Sequence, residues 1–367
     1  MKGPVLGVFE SMAVDGYEQV LYGYDPVSGL RTIIAIHSTA LGPALGGTRF
    51  YPYSSEEEAL VDVLRLARGM TYKAAAAGLD LGGGKAVILG DSRNRGADSE
   101  RLLRAYGRIV DSLQGRYITA EDVGTTSEDM EMIRRETQWA LGIPIPEGGS
   151  GDPSPMTARG VMGAVRAVAV HLWGSPDLAG RRFALQGVGK VGGSFARMLV
   201  EAGAEVVVSD AHAPTAEAVS NELGAKLVEC DEIMTVDCDV LSPCALGAVL
   251  TPETIPTLSC QAIVGCANNQ LLTDEDATTI AQRGILYAPD FVINAGGLIN
   301  VAEELRGYAP ERAMHRVDAI ERATATILAI AHEHAITPHA AAVLRAERRI
   351  KEIGDLRRFR RNGDDRN

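Results

Sequence analysis

Cysteine and histidine are scarce in this chain, and neither is arranged to hold a metal. The five cysteines, Cys230, Cys238, Cys244, Cys260 and Cys266, fall in one region without a CxxC pair, and none of the seven histidines clusters with them to complete a zinc site. Buried thiols and a reducing compartment are the expectation. Long apolar runs are also missing. The first residues, "MKGPVLGVFE", lack the apolar core of a secretory signal, and nowhere do about twenty apolar residues follow one another. A cytoplasmic protein with no membrane partner is expected. Positive charge is in deficit, with 36 Lys and Arg against 48 Asp and Glu, and the formal charge of −12 disfavours a nucleic-acid partner. The one dense basic stretch, "RRFRRNGDDRN" at the C-terminal end, reads as a solvated tail. Aromatic residues make up only 5%, whereas hydrophobic residues reach 46% and glycines number 40, a balance suited to an α/β protein with many tight strand-to-helix turns. At 367 residues, two domains with separate cores are expected.

The run "YEQVLYGYDPVSGLRTIIAIH" shows two β-rich stretches around an Asp-Pro and Ser-Gly turn, the pattern of a hairpin. "SSEEEALVDVLRLARGMTYKAAAA" then reads as a helix, with serines to cap it and glutamates in its first turn. Its expected apolar stripe is Ala59, Val63, Leu66, Met70, Lys73 and Ala77. That register puts Lys73 on the buried face, either as a functional conflict or as a lysine snorkelling from the helix end. The strand "RYITA" finishes in Glu121 and Asp122, and Thr125 through Glu128 match a capping box for the following helix. A loop rich in Gly and Pro, "GIPIPEGGSGDPSPMTARG", is the linker candidate, with a boundary expected near residue 145. Beyond it, "CDVLSPCALG", "QAIVGCANNQ" and "ILYAPDFVINAGG" read as strands stopping at polar or glycine-rich loops, which predicts a doubly wound parallel sheet. The last part reads as long helices, with Thr337 and Pro338 opening the final one.

Gly187, Gly189 and Gly192 satisfy GxGxxG, with residues 183–186 expected as strand before them and 194–202 as helix after. In that context the first glycine makes the turn, the second admits a pyrophosphate to the backbone and the third lets helix pack on strand. Val188, Lys190 and Val191 complete the candidate cofactor loop, Lys190 facing either pyrophosphate or solvent. Asp210 closes the next strand, 23 residues after Gly187, where a carboxylate accepts from both ribose hydroxyls and repels a phosphate on one of them. NAD is therefore expected over NADP.

"GLDLGGGKAVILG" places three glycines and a lysine ahead of an apolar run. A phosphate loop is excluded, because Leu79 and Ala86 stand where that motif needs Gly and Ser or Thr. A gatekeeper charge at a strand edge would explain Lys85 but not the glycines. Glycines that strip side chains from the approach to Lys85 point to a ligand close to the backbone.

Together "HSTALGPALGGTRFYPY", "MTYKAAAAGLDLGGGKAVI", "RYITAEDVGTTSEDM", "GSGDPSPMTARGV", "GVGKVGG", "GCANNQL" and "ILYAPDFVINAGGLINVAEEL" resemble the glutamate, leucine, phenylalanine and valine dehydrogenase family, above all its leucine and valine enzymes. The similarity runs from about residue 15 to 350. It implies an α/β fold of two domains: a substrate-binding and oligomerisation domain (residues 1–145, joined by a C-terminal helix over about 335–367) and a Rossmann-type NAD-binding domain (146–334), with the C-terminal helices packing back across the cleft. It implies a homo-oligomer whose two domains close over an amino acid, which is oxidised by NAD to an imine and hydrolysed to a 2-oxo acid and ammonia. In such enzymes the residue matching Lys85 is the general base and that matching Asp122 shuttles protons at the amino group. The match to Lys73 holds the substrate carboxylate with the match to Asn268, Thr157 meets the nicotinamide amide, and Asn294 lies at the hydride-transfer centre. A lysine serves as base only where burial or a neighbouring cation favours its neutral form, a field expected from Lys73.

By the same resemblance the side-chain pocket is lined by Leu45, Gly46, Met70, Ala120, Leu298 and Val301. Glutamate-specific members carry a lysine at Leu45; an apolar residue there leaves a distal carboxylate unpaired, at a cost of several kcal/mol. Leu298, where leucine enzymes tend to carry a smaller valine, favours short branched side chains such as valine. The rival readings are a phenylalanine-type enzyme and a catalytically silent NAD-binding homologue.

Overall fold

The computed structural model describes residues 7–94, 99–245 and 247–356. The basic tail at 357–367 lies outside the described residues. The chain divides into two compact units: unit 1 comprises 1–151, 304–308 and 346–367, and unit 2 comprises 152–303 and 309–345. The first crossing, between Gly151 and Asp152, falls inside the Gly- and Pro-rich loop, six residues beyond the expected position. The last helix joins unit 1 only from Ala346, not from about 335.

In unit 1 the hairpin forms as its turn residues dictate, with β1 (Gln19–Asp25) antiparallel to β2 (Leu30–Ser38). Asp25 closes the turn by accepting from both the amide and the hydroxyl of Ser28. With β3 (Ala44–Tyr51), β4 (Gly82–Leu89) and β5 (Tyr117–Glu121) these strands make a five-stranded sheet in the order β1-β2-β4-β3-β5, in which β4, β3 and β5 run parallel. One face packs under α1 (Val8–Asp15) and α2 (Glu56–Ala76) through Ile33, Ala35 and Val87 against Ala59, Val63 and Ala67. The other face, with Ile34, Ala86 and Ile88, packs on α3 (Ser99–Asp111) and α4 (Ser127–Arg134). Alternation along β4 thus sends residue 85 to the α2 side and residues 84 and 86 to the other.

Two local expectations shift here. Ser55 caps α2 by accepting from the Glu58 amide, but the buried face runs Ala59, Val63, Ala67, Thr71, Ala74 and Ala75, leaving Leu66, Met70 and Lys73 on a half-buried flank. Small residues set the contact because α2 lies very close to the sheet. The α4 capping box is Thr126 with Asp129, one residue later than expected, since Thr125 is spent on the preceding turn, where its hydroxyl accepts from the Asp122 amide and donates to the Thr48 carbonyl.

Unit 2 holds six strands: β6 (Arg182–Gln186), β7 (Glu205–Ser209), β8 (Lys226–Leu227), β9 (Val240–Pro243), β10 (Ala262–Ile263) and β11 (Leu286–Tyr287). All pairs are parallel, in the order β11-β10-β9-β6-β7-β8. The strand order reverses between β6 and β9, the place where an open sheet of this kind leaves a crevice for a ligand. Helices α5 (Ser154–Trp173), α6 (Lys190–Glu201), α7 (Ala213–Leu223), α8 (Asp276–Gln282), α9 (Asp290–Ile293), α10 (Gly296–Ala302) and α11 (Pro310–His334) connect or cover these strands, and α12 (Pro338–Leu356) follows, its start capped by Thr337 accepting from the Ala340 amide. Glu303, fully buried, is neutralised by Arg312 and Arg316. All five cysteines are free thiols, but only Cys238 and Cys266 are buried; Cys230 is exposed and the other two are intermediate. Their neighbours in sequence are loop residues, which need not be covered.

Candidate active site

In unit 1 the three glycines before Lys85 do not open a path for a ligand. A Cβ on Gly82 would lie 1.9 Å from the Ser38 carbonyl, on Gly83 2.1 Å from the Thr71 amide, and on Gly84 2.8 Å from the Tyr117 ring. Each glycine admits a neighbouring part of the protein, and Gly83 is what lets α2 settle against β4. The ligand-facing reading of the triplet is therefore corrected to a packing one. Gly46 and Gly47 act likewise on the adjoining strand: a Cβ on Gly46 would sit 1.7 Å from the Gly84 carbonyl oxygen, and one on Gly47 2.4 Å from that of Glu121.

The result is a lysine placed deep inside. Lys85 is 5% exposed, and its Nζ lies 3.0 Å from Asp122 Oδ1. Burial pushes the Lys85 amine below its ordinary range; Asp122 pulls it back up, and the Arg49 cation pushes it down further. For Asp122 burial opposes the charged form, yet the cations of Lys85 and Arg49 outweigh it and hold the carboxyl at about 2. Arg49 thus supplies a positive neighbour to the pair. Its Nε donates to Asp122 Oδ2 at 2.9 Å and its Nη1 to Asp62 Oδ2 at 2.8 Å. Neither Arg49 nor Asp62 was singled out from the sequence. The signal available was an arginine inside a β-rich run, two residues after the glycine pair of "GGTRFYPY".

Of the other candidates in unit 1, Leu45 and Ala120 are buried, Gly46 packs on β4, and Met70 and Lys73 are intermediate on the half-buried flank of α2. Thr71, between the last two, accepts or donates with His37 Nδ1 at 2.8 Å, tying that helix turn to β2.

In unit 2 the glycine turn leaves β6 with Gly187 at φ +97°, a conformation that favours glycine, and Gly189 caps α6, which begins at Lys190 rather than at 194. A Cβ on Gly192 would lie 2.1 Å from the Gly187 carbonyl oxygen, whereas one on Gly189 would meet nothing within 4 Å. Two glycines are demanded by the fold; the second borders open space, where the first-turn amides of α6 face outward. Val188 is buried, and its amide donates to Asp210 Oδ2 at 2.8 Å while the His212 amide donates to Oδ1 at 2.9 Å. Asp210 therefore shapes the turn itself. Lys190 is solvent-exposed with its Nζ 3.8 Å from Asp152, and Val191 is intermediate.

Asn294 is buried. Its Nδ2 donates to the carbonyls of Cys266 and Ala267 and to Asn268 Oδ1, while its Oδ1 has no partner. A buried acceptor so placed can take a hydrogen bond from a water or from a ligand N–H. Thr157 stands in the first turn of α5, where Gly297 packs against its hydroxyl. Leu298 is intermediate and Val301 buried on α10. Among the described residues no group of His, Cys, Asp or Glu could hold a metal, and no helix is long and apolar enough to cross a membrane.

The parallel six-stranded sheet with its glycine turn makes unit 2 a Rossmann-like domain, and unit 1 sets a buried lysine against a half-buried aspartate. A family model described as "Glu/Leu/Phe/Val dehydrogenase, dimerisation domain" matches residues 20–139, and "Glutamate/Leucine/Phenylalanine/Valine dehydrogenase" matches 148–215 and 214–356. The chain belongs to this family of amino-acid dehydrogenases. It is 50% identical to a leucine dehydrogenase of Geobacillus stearothermophilus over 357 residues, 97% of each chain. A valine dehydrogenase of Streptomyces virginiae is 49% identical over 340 residues, 92% of this chain and 94% of that one. Among solved structures, L-tryptophan dehydrogenase from Nostoc punctiforme superposes with a TM-score of 0.80 at 44% identity, covering 95% of this chain and 99% of the other.

Proposed function

We propose that this protein catalyses the reversible, NAD-dependent oxidative deamination of branched-chain L-amino acids to 2-oxo acids and ammonia. The observation that carries this reading is the buried Lys85–Asp122 pair at 3.0 Å in a chain half identical to leucine dehydrogenase. NAD, when bound, supplies the hydride acceptor. The glycine turn fits such a dinucleotide: open space at Gly189, helix amides for the pyrophosphate, Asp210 at the end of β7 for the ribose, and the unpartnered Asn294 Oδ1 for a carboxamide N–H.

Lys85 in its neutral form removes a proton from the water that adds to the imine, and its lowered proton affinity favours that form. Asp122, ionised and within reach of Lys85, relays protons at the substrate nitrogen. Lys73 is assigned to the substrate carboxylate, and Leu45, buried and apolar, offers no partner to the distal carboxylate of glutamate. Assembly as a homo-oligomer through unit 1 accords with the dimerisation-domain match.

The test is the rate of NAD reduction with valine, leucine, isoleucine, phenylalanine, tryptophan and glutamate. Highest kcat/KM on a branched-chain substrate is expected; turnover on glutamate alone would overturn the Leu45 argument, and preference for an aromatic substrate would overturn the substrate class. A second expectation concerns the cofactor. Asp210→Ala should weaken NAD binding about tenfold or more, the equivalent of one charge-assisted hydrogen bond, and narrow the preference over NADP. Unchanged affinities for both dinucleotides, measured by fluorescence titration, would remove Asp210 from the ribose.

A further inference from the structure

We propose that Arg49 is the positioning residue of the Lys85–Asp122 pair, dividing the two oxygens of Asp122 so that one belongs to the guanidinium and the other to the lysine. This rests on the reading of Lys85 and Asp122 as acid–base groups. The arrangement spans four elements. Arg49 on β3 uses two different N–H edges: Nε to Asp122 Oδ2, just beyond β5, and Nη1 to Asp62 Oδ2 on α2. Lys85 on β4 takes the remaining oxygen, Oδ1, at 3.0 Å. Tyr53, beyond β3, donates its hydroxyl to Asp62 Oδ2 at 2.6 Å, which fixes the far end of the chain. The charged groups acting on Lys85 include Asp122, Arg49 and Asp62, and these three with a protonated Lys85 balance in charge.

The choice of arginine has a physical consequence. Guanidinium keeps its charge throughout the working pH range, so the field at Lys85 stays constant as that lysine gains and loses its proton; a lysine at position 49 would be a second titrating ammonium without the planar fork. When Lys85 is neutral the two carboxylates carry two negative charges, and Arg49 offsets one of them. Because Oδ2 is occupied, Asp122 presents a single oxygen to Lys85 and so a single route for a proton.

The experiment compares Arg49→Gln, Arg49→Lys and Tyr53→Phe in the full-length enzyme. Two readouts are taken: the pH dependence of kcat/KM for the best substrate, and the pH dependence of Lys85 acylation by an amine reagent, followed by mass spectrometry of its peptide without substrate. Removing the Arg49 charge should move the rising limb of both curves to higher pH by about one unit, a tenfold loss of neutral lysine at a fixed lower pH. Arg49→Lys should restore the limb's position better than it restores kcat, and Tyr53→Phe should lower kcat modestly with the limb near its original pH, while NAD affinity stays within about twofold for all. If both curves keep their position in Arg49→Gln, or if Arg49→Lys keeps the natural kcat as well as the natural limb when Gln prevents folding, the proposal is overturned. The acylation curve needs no turnover. An inactive natural protein would sink the dehydrogenase reading while that curve still decides the role of Arg49.

Discussion

Replacing Lys85 with alanine should lower kcat by about 10²–10⁴-fold, the range of a general acid–base contribution, while NAD still binds within about twofold. The two effects separate because the lysine belongs to unit 1 and the glycine turn to unit 2. The fold should tolerate the change: Asp122 keeps its bond from Arg49 Nε and loses only the Lys85 contact. The pH profile of the natural enzyme carries the same information. Asp122 sits at about 2 and stays ionised over the working range, so the acidic limb of kcat/KM belongs to Lys85. Its folded value lies below the ordinary 10.5, chiefly through burial. In the oxidative direction the reactive form is the neutral amine, so kcat/KM should climb with pH and level off before that ordinary value; in the reductive direction the protonated form is needed and the dependence should reverse. Stopped-flow traces of NAD reduction and equilibrium titration of NAD would check both halves. Collapse of NAD affinity along with turnover would show that Lys85 acts on the cofactor instead.

Gly46→Ala should be the most damaging of the small substitutions. The added methyl would fall 1.7 Å from the Gly84 carbonyl oxygen, 2.6 Å from its carbon and 3.3 Å from the Lys85 Cα, all of them backbone. No rotamer relieves such a clash; β3 has to move away from β4. Unit 1 should lose about 3 kcal/mol, at the upper end of ordinary overpacking costs. Activity should fall as well, since β3 also carries Arg49, and displacing it alters the bond to Asp122. Hydrogen exchange on peptides spanning β3 and β4, rather than a single melting temperature, is the suitable measurement in a chain of two units. Unaltered protection together with an unaltered rate would mean that the strands accommodate a side chain there, and the packing account of these glycines would fail.

Much of this molecule was legible before any coordinate. The hairpin of β1 and β2, the Ser55 cap of α2, the Thr337 cap of α12 and the glycine turn after β6 are contiguous signals, each decided by a few neighbouring residues. The misread features share a different character. The apolar stripe expected along α2 holds at Ala59 and Val63 but not at Leu66, Met70, Lys73 and Ala77, because Gly83 permits so close an approach that Ala67, Thr71, Ala74 and Ala75 make the contact. The capping box of α4 slipped by one residue because Thr125 was already bound to Asp122 and Thr48. The glycines before Lys85 were read as room for a ligand, and their neighbours proved to be Ser38, Thr71 and Tyr117, far away in the chain.

Sequence alone determined that a dinucleotide-type turn lies between a strand and a helix, that an acid closes the next strand, and that the motifs are those of an amino-acid dehydrogenase. These follow from short stretches whose spacing is itself the geometry. Only the tertiary structure decided which oxygen of Asp122 meets Lys85, that Arg49 is a cation acting on that pair, and that Asp62 and Tyr53 hold Arg49 in turn. Electrostatic partnership depends on distance through space between strands and helices joined by long connections, and no spacing along the chain encodes it.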